Sequence, residues 1–329
     1  MNHKFTDFMQ SFRGQKIAIA VSGGPDSMAL LHMAKTAGLD IVALHVNHGL
    51  RAAAAADATH VADVAAKMGV ACHILHWAGE KPARGIEDAA RAARYRMMGE
   101  FCRANDIQTI MVAHHADDQI ETFLMNLARG SGVYGLAAMR PESMRDGMRI
   151  VRPLLDIRRA ALQKYCDENH IAYVHDEMND DERFTRVRMR RRRGCLGDEL
   201  GIGDDRILLA IRNLGRTRAA LDAYITARMA GVIENGRAIF SAFFLFDEAA
   251  DIRLKLLGNL LQHIGGNVYQ PRLNALERAL TQLNSDCKFT LGGCVLRRLG
   301  DRILIAPEGS RTSFKTRKGH EKTKQNCKA

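Results

Sequence analysis

The chain has 329 residues, of which 47% are hydrophobic and 26% charged, as in a globular protein of about two domains. No apolar run reaches the roughly 18 residues of a membrane-spanning helix, and the first residues lack the apolar core of a signal peptide. The seven cysteines are scattered without a CxxC pair, which argues against disulfides or zinc and favours the cytoplasm. The formal net charge of +11 favours a polyanionic partner, nucleic acid first.

Apolar strands and helices alternate in the first half of the chain. The predicted strands are 16–21, 40–46, 70–77 and 108–115, and the predicted helices are 27–37, 52–68, 86–104 and 117–129. This alternation is typical of an α/β fold with a doubly wound parallel sheet. In such a sheet, ligands bind at the carboxyl ends of the strands.

The alternation ends after residue 153. Helices are predicted at 157–169, 207–229, 252–263 and 272–283, and strands at 238–246, 288–298 and 302–306. We therefore expect a second, smaller α+β domain. The expected divisions are a catalytic domain (1–205), a helical linker (206–230), a second domain (231–310) and a basic, disordered tail (311–329).

The stretch SGGPDS joins the first predicted strand to the first helix. Its residues are Ser22, Gly23, Gly24, Pro25, Asp26 and Ser27. Helix N-termini attract anions, the glycines permit close approach and positive φ, and the proline suits a first helical turn. The acid makes sense beside a phosphate chiefly with a bridging Mg²⁺. A glycine turn capped by serine is the alternative; the loop also lacks the GK[ST] of a Walker loop.

The stretch AHHADDQIET is the densest group of polar residues. His114 and His115 end the fourth predicted strand, while Asp118 and Glu121 share one face of the following helix. Their carboxylates can converge on one cation, and with the histidines they would also suit a metal site. Helix capping by acids is the alternative and is expected for Asp117. Capping does not explain the histidine pair.

Basic and polar residues are also expected near the same edge of the sheet. HVNHGLR (45–51) ends the second strand, which would place His45 at the mouth of the site. Arg91 and Arg94 share one helix face and could bind phosphates. The alternatives are that HVNHGLR is an ordinary loop at the end of a strand, and that Arg91 and Arg94 form a solvated basic helix face. The cluster RFTRVRMRRRR (183–193) is either a nucleic-acid contact or a generic basic surface.

SGGPDS resembles the SGGxDS loop of the PP-loop ATP pyrophosphatases, which cleave ATP to AMP and pyrophosphate while adenylating a substrate. HVNHGLR, GIEDAARAARYRMM (85–98), AHHADDQIETFLMNLARGSGVYGLAAM (113–139) and RPLL (152–155) are similar to the tRNA(Ile)-lysidine synthetase family. The resemblance covers residues 16–200. It implies an ATP-dependent ligase that joins L-lysine to C2 of the wobble cytidine of isoleucine tRNA with a CAU anticodon. The tRNA is adenylated as an intermediate.

The resemblance also implies roles for individual residues, with ATP and Mg²⁺ as cofactors. ATP would contact Ser22, Gly23, Gly24, Pro25, Asp26, Ser27, His45, Arg94 and His114, with Asp26 holding Mg²⁺. Asp118 and Glu121 would bind lysine and, with Asp26 and Arg188, take part in catalysis. The tRNA would contact Arg186, Arg188, Arg190, Arg191 and the second domain. Two segments depart from the family pattern. Where the family has a DPSN-like segment this chain has DEMN (176–179), and where the family has an RNxIR-like segment it has RVRMR (186–190), which keeps the spacing of the arginines.

Three other functions stay open on the sequence alone. A tRNA-thiolating PP-loop enzyme would need sulfur chemistry, yet none of the seven cysteines flanks a site motif. A small-molecule ATP ligase would not need the arginine cluster. A non-catalytic RNA-binding relative would not need Asp26, Asp118 and Glu121.

Overall fold

The computed structural model describes residues 3–50, 54–79, 81–82, 85–174, 188–189, 193, 199–267 and 269–309. The chain divides into two compact units, Met1–Arg218 and Ala219–Ala329. The altered DEMN segment and the predicted basic tail lie outside the described residues. Within the described part of the chain, no helix is both long and apolar enough to cross a membrane.

The first unit is built on a six-stranded sheet. Its strands are β1 (Lys16–Ala20), β2 (Asp40–Asn47), β3 (Cys72–His76), β4 (Thr109–Met111), β5 (Glu142–Arg145) and β6 (Met148–Val151). Their order is β3-β2-β1-β4-β6-β5, and every pair is parallel except the β5–β6 hairpin. The predicted parallel α/β sheet is confirmed. The strand order reverses between β1 and β4, which is where such sheets bind ligands.

Helices cover both faces of this sheet. They are α1 (His3–Gln10), α2 (Pro25–Thr36), α3 (Ala54–Lys67), α4 (Ile86–Ala104), α5 (Ala116–Leu127), α6 (Val133–Leu136) and α7 (Arg159–Glu168). Successive side chains of a strand point to opposite faces. Accordingly, Ile17 and Ile19 pack in a core with α1, α2, α3 and α7, while Ala18 packs in a separate core with α4.

The second unit contains an antiparallel sheet, and the helix α8 (Asp204–Met229) runs from the first unit into it. The other elements are β7 (Ile233–Glu234), β8 (Arg237–Ser241), α9 (Ala242–Phe246), α10 (Ala250–Gly265), α11 (Leu273–Gln282), β9 (Cys287–Leu291), β10 (Cys294–Leu299) and β11 (Arg302–Pro307). The strand order is β7-β8-β11-β10-β9. Leucines of α10 and α11 pack against β10 and β11, which confirms a smaller α+β domain.

Several predicted elements were wrong in extent. The strand predicted at 238–246 ends at Ser241, whose hydroxyl accepts a hydrogen bond from the N–H of Phe243 and begins α9. The strand predicted at 288–298 is a hairpin, because Gly292 and Gly293 take φ of +60° and +70°. β4 ends at Met111, earlier than predicted. The helix α1 and the β5–β6 hairpin were not predicted.

Candidate active site

A cleft of about 530 Å³ opens at the carboxyl ends of β1 and β4, where the strand order reverses. Its walls come from the SGGPDS loop, the end of β2, α4 and the start of α5. The predicted site residues on the walls are Ser22, Asp26, Ser27, His45, Arg94, His114 and Asp118. The structure thus brings together residues from four separate motifs.

The SGGPDS loop is shaped by its own side chains. Gly23 has φ of +97°, whereas Gly24 is extended and is the N-cap of α2, which begins at Pro25. The hydroxyl of Ser27 accepts hydrogen bonds from the N–H groups of Ser22 and Gly23 at 3.1 and 3.2 Å and donates to the carbonyl of Gly24. The expectation of positive φ therefore holds at Gly23 but is wrong at Gly24. These three hydrogen bonds of Ser27 fix the shape of the loop in front of the N-terminus of α2.

Asp26 has the geometry of a ligand for a hard cation. Its Oδ1 is buried and has no hydrogen-bond partner among the described residues, while Oδ2 lies 3.6 Å from Nε2 of His115. Mg²⁺ in nucleotide sites commonly takes one or two carboxylates and completes its coordination with phosphates and water. The described residues contain no group of three or more His, Cys, Asp or Glu that could hold a metal by itself. A cation at Asp26 would therefore depend on the bound nucleotide.

His115 links the nucleotide loop to α5; the sequence suggested it only as one of two histidines that would suit a metal site. It is the N-cap of α5: Nδ1 accepts from the N–H of Asp118, and the Asp118 carboxylate accepts from the N–H of His115 at 3.0 Å. Nε2 lies 3.6 Å from carboxylate oxygens of both Asp26 and Asp118. Burial alone would lower the pKa of His115, but these carboxylates and Asp117 raise it overall. The histidine three residues before an acid was the available sequence signal.

The two acids predicted to bind lysine lie at different depths. Asp118 lines the cleft, while Glu121, one turn further along α5, is 1% exposed and is not part of the cleft wall. Asp118 is therefore accessible to a ligand in the cleft, as the predicted contact with lysine requires. Joint binding of lysine by Asp118 and Glu121 stays a prediction.

Arg91 and Arg94 both line the cleft on α4. Their guanidinium carbons lie 5.7 and 5.9 Å from the ring centroid of Tyr95, which is buried, and Arg145 stacks on the same ring at 4.2 Å. Cations over an aromatic face are attracted by its quadrupole. Tyr95 and Arg145 were not predicted. They help to hold positive charge at the wall where phosphates would bind.

Two histidines from HVNHGLR lie at the cleft wall. His45 is buried, and its Nδ1 pairs with the carbonyl of Val21 at 2.9 Å. Burial, reinforced by the charges of Arg94, His45 and Lys81, lowers the pKa of His48 to about 4. The ring of His48 meets the edge of Trp77 at 5.7 Å. The HVNHGLR loop therefore presents a neutral ring beside cationic groups.

The basic cluster divides into residues with different surroundings. Arg188 is exposed. Arg193 is only 18% exposed and donates to the carboxylate of Asp117 at 2.9 Å. Arg186, Arg190 and Arg191 lie outside the described residues, so their predicted contacts with tRNA stay predictions.

None of the described cysteines lines the cleft. Burial raises the pKa of the thiols of Cys102, Cys166 and Cys294 to about 11. Nucleophilic cysteines need the thiolate at neutral pH. These three thiols are therefore packing groups.

The loop, the sheet order and the cleft define a PP-loop nucleotide-binding domain, and the family model described as a PP-loop domain matches residues 1–193. The U34-tRNA thiolase of Methanococcus maripaludis shares the fold, with a TM-score of 0.54 at 14% identity over 65% of this chain and 79% of that one. The tRNA(Ile)-lysidine synthase of Ruegeria pomeroyi is 36% identical over 89% of this chain and 71% of its own length. That of Rhodopseudomonas palustris is 37% identical over 88% and 90%. The chain belongs to the tRNA(Ile)-lysidine synthase family.

Proposed function

We propose that this chain uses ATP to ligate L-lysine to C2 of the wobble cytidine in isoleucine tRNA with a CAU anticodon. The observation that carries the proposal is that Asp26 and Asp118 both approach Nε2 of His115 at 3.6 Å and both line the cleft that Arg94 also lines. One cleft thereby offers a nucleotide loop, a phosphate-binding cation and an acid for an amine substrate. Family membership supplies the identity of the substrates.

The reaction has two displacements. The oxygen on C2 of the cytidine attacks the α-phosphorus of ATP, forming the adenylate and releasing pyrophosphate. The ε-ammonium of lysine releases a proton to solvent, and the neutral amine attacks C2; the C2–oxygen bond breaks, AMP leaves, and the nitrogen releases a second proton to solvent. Positioning and neutralisation of phosphate charge are the main tasks of the protein.

The residues divide these tasks. The SGGPDS loop and Arg94 bind the phosphates, and His45 and His114 line the nucleotide side of the cleft. A Mg²⁺ ion held by Asp26 would neutralise the phosphate oxygens. Asp118 and Glu121 are assigned to the ammonium form of the incoming lysine. The positions of Asp26, Arg94 and Asp118 on the cleft wall support their roles, while the role of Glu121 rests on the family resemblance.

We assign tRNA binding to Arg186, Arg188, Arg190 and Arg191 and to the second unit, and from the family resemblance also a part in catalysis to Arg188. The exposure of Arg188 supports this assignment. We also propose the cytoplasm as the site of action, because the substrates are ATP, lysine and tRNA. The buried thiols give no support to tRNA thiolation.

The deciding experiment incubates the chain with ATP, labelled lysine and an isoleucine tRNA transcript, and measures lysine in the RNA. We expect incorporation, and none into a transcript whose wobble cytidine is replaced by uridine. Asp118→Asn should lower incorporation by about 10²-fold, because asparagine keeps a cap for α5 but loses the charge that binds the ammonium.

The matched control is Asp40→Asn, which changes an exposed acid at the start of β2, the end of that strand away from the cleft. It should leave incorporation within about twofold. A wild-type chain that puts no lysine into the cytidine transcript contradicts the proposed function. Full incorporation by Asp118→Asn contradicts only the role of that residue.

A further inference from the structure

Four charged side chains form a connected group next to the cleft, called here the Asp117 network: Asp117, Arg158, Arg193 and Asp204. Resting on the proposed function, we propose that Arg193 is a positioning residue for lysine: through Asp117 it fixes the first turn of α5, which carries Asp118. No motif singled out this network, because its members come from four distant stretches of the sequence.

The contacts of the network alternate in charge. Arg193 donates from Nη2 to Asp117 at 2.9 Å, and its Nε lies 3.2 Å from Asp204. Arg158 pairs with both acids as well, its Nη2 lying 3.3 Å from Asp117. The other oxygen of Asp117 accepts from the N–H of Arg159 at 2.8 Å. Each acid therefore lies between the same two arginines.

Three helices begin at this network. Asp117 is in the first turn of α5, Arg159 is the first residue of α7, and Asp204 is the first residue of α8. Three positive helix ends would repel one another, and two carboxylates among them remove that repulsion. The arginines then balance the carboxylates. The orientation of α5 at its start, where His115 and Asp118 lie, depends on this group.

Asp117 and Arg193 are 10% and 18% exposed, so water screens their pairing only partly. Arg158, the other partner of Asp117, is 35% exposed and is also committed to Asp204. Loss of the Arg193 guanidinium would leave Asp117 with the N–H of Arg159 and one shared, more exposed cation, Arg158. The first turn of α5 would then be free to shift, and Asp118 with it.

The test measures lysidine formation against lysine concentration, at saturating ATP and tRNA, for Arg193→Gln, Arg193→Lys and Arg149→Gln. ATP affinity is measured separately from the fluorescence of Trp77, the single tryptophan, which contacts His48 in the cleft wall. Arg149→Gln is the control, since it breaks a two-bond ion pair with Glu142 in the β5–β6 hairpin.

We expect Arg193→Gln to raise the KM for lysine by about tenfold, with ATP affinity within about twofold of wild type. Arg193→Lys should recover part of this loss, because an ammonium keeps the charge but lacks the fork that reaches both acids. Arg149→Gln should leave the KM for lysine unchanged. A purely structural role would lower Tm and kcat in Arg193→Gln but not change that KM, and such a result overturns the proposal.

Asp204→Asn covers the case in which Arg193→Gln does not fold, because it removes the charge that holds Nε of Arg193 and so weakens the orientation of Arg193 against Asp117. It should raise the KM for lysine by about threefold. An unchanged KM in folded Asp204→Asn overturns the positioning role. An active wild type with unaffected variants refutes only this inference, whereas an inactive wild type refutes the proposed function with it.

Discussion

His48 is a cleft residue whose charge state is set by its surroundings. Its Nδ1 is buried without a hydrogen-bond partner among the described residues, and cationic groups surround the ring. With a pKa of about 4, the ring is neutral throughout the range in which nucleotides are fully charged. A neutral ring can donate or accept a hydrogen bond without adding a charge that ATP would have to offset.

The lowered pKa of His48 predicts a specific loss of stability in acid. Below its usual pKa of about 6.5 and down to about 4, the unfolded chain binds more protons at this residue than the folded chain. The contribution of His48 to the free energy of unfolding therefore decreases as the pH falls from about 6.5 to about 4. Between pH 7 and pH 5, wild type should lose about 1 kcal/mol more free energy of unfolding than His48→Gln, after allowance for solvent screening of a half-buried ring.

Urea unfolding at the two pH values measures this difference. His76→Gln, which changes an exposed histidine at the end of β3, should lose the same free energy as wild type. If His48→Gln also loses as much as wild type, His48 is not held neutral by its surroundings.

At the scale of elements, the two glycines of SGGPDS differ in whether the structure leaves room for a side chain. A Cβ at Gly23 would lie 2.9 Å from Cγ2 of Val61 in α3, at φ of +97°. A Cβ at Gly24 would meet nothing nearer than the hydroxyl of Ser22 at 3.8 Å, and its φ of −73° suits any residue. The close approach of the loop to α3 thus depends on Gly23 alone.

We expect Gly23→Ala to lower the free energy of unfolding by about 1–3 kcal/mol, from backbone strain and the contact with Val61. Gly24→Ala should change it by less than about 0.5 kcal/mol. Thermal or urea unfolding of the two variants compares them directly. Equal losses would mean that the loop does not hold its left-handed turn at Gly23.

The elements also show what the sequence could and could not predict. β1 and β2 lie close to their predicted limits because they are short apolar runs with clear ends, and α4 does because its apolar residues recur at helical spacing. The β5–β6 hairpin was missed because β5 is mostly polar and both strands are only four residues long. The strand predicted at 238–246 continued too far because a helical turn of phenylalanines carries no signal distinct from a strand.

In the site, too, some features could be predicted from the sequence and others could not. That the nucleotide loop and Asp118 meet at one edge follows from the sheet, since parallel strands end on the same side. The burial of Glu121, the bridge at His115 and the pairing of Arg193 with Asp117 could not be predicted. Those contacts depend on how α5, α7 and α8 begin beside one another, which only the tertiary structure defines.

At the scale of the whole molecule, the net charge of +11 should determine how RNA binds. A protein that neutralises phosphates releases counterions, so the logarithm of its affinity falls linearly with the logarithm of salt concentration, by about 0.9 per phosphate contact on duplex. We expect the affinity for isoleucine tRNA to fall by at least about 10²-fold between 50 and 200 mM salt. Arg188→Ala should reduce the slope by about 1, because it removes one exposed cation of the arginine cluster.

Lys164→Ala is the matched control for the salt experiment, since Lys164 is also an exposed cation, lies on α7 and pairs with Glu168 instead of belonging to the arginine cluster. Its slope should equal that of wild type. Filter binding or anisotropy across the salt range measures all three slopes. A flat dependence for wild type would show that the excess positive charge does not contact RNA, and tRNA recognition would then have to rest on uncharged contacts. If the wild-type slope is steep and the slope for Arg188→Ala is unchanged, other cations of the chain make the phosphate contacts.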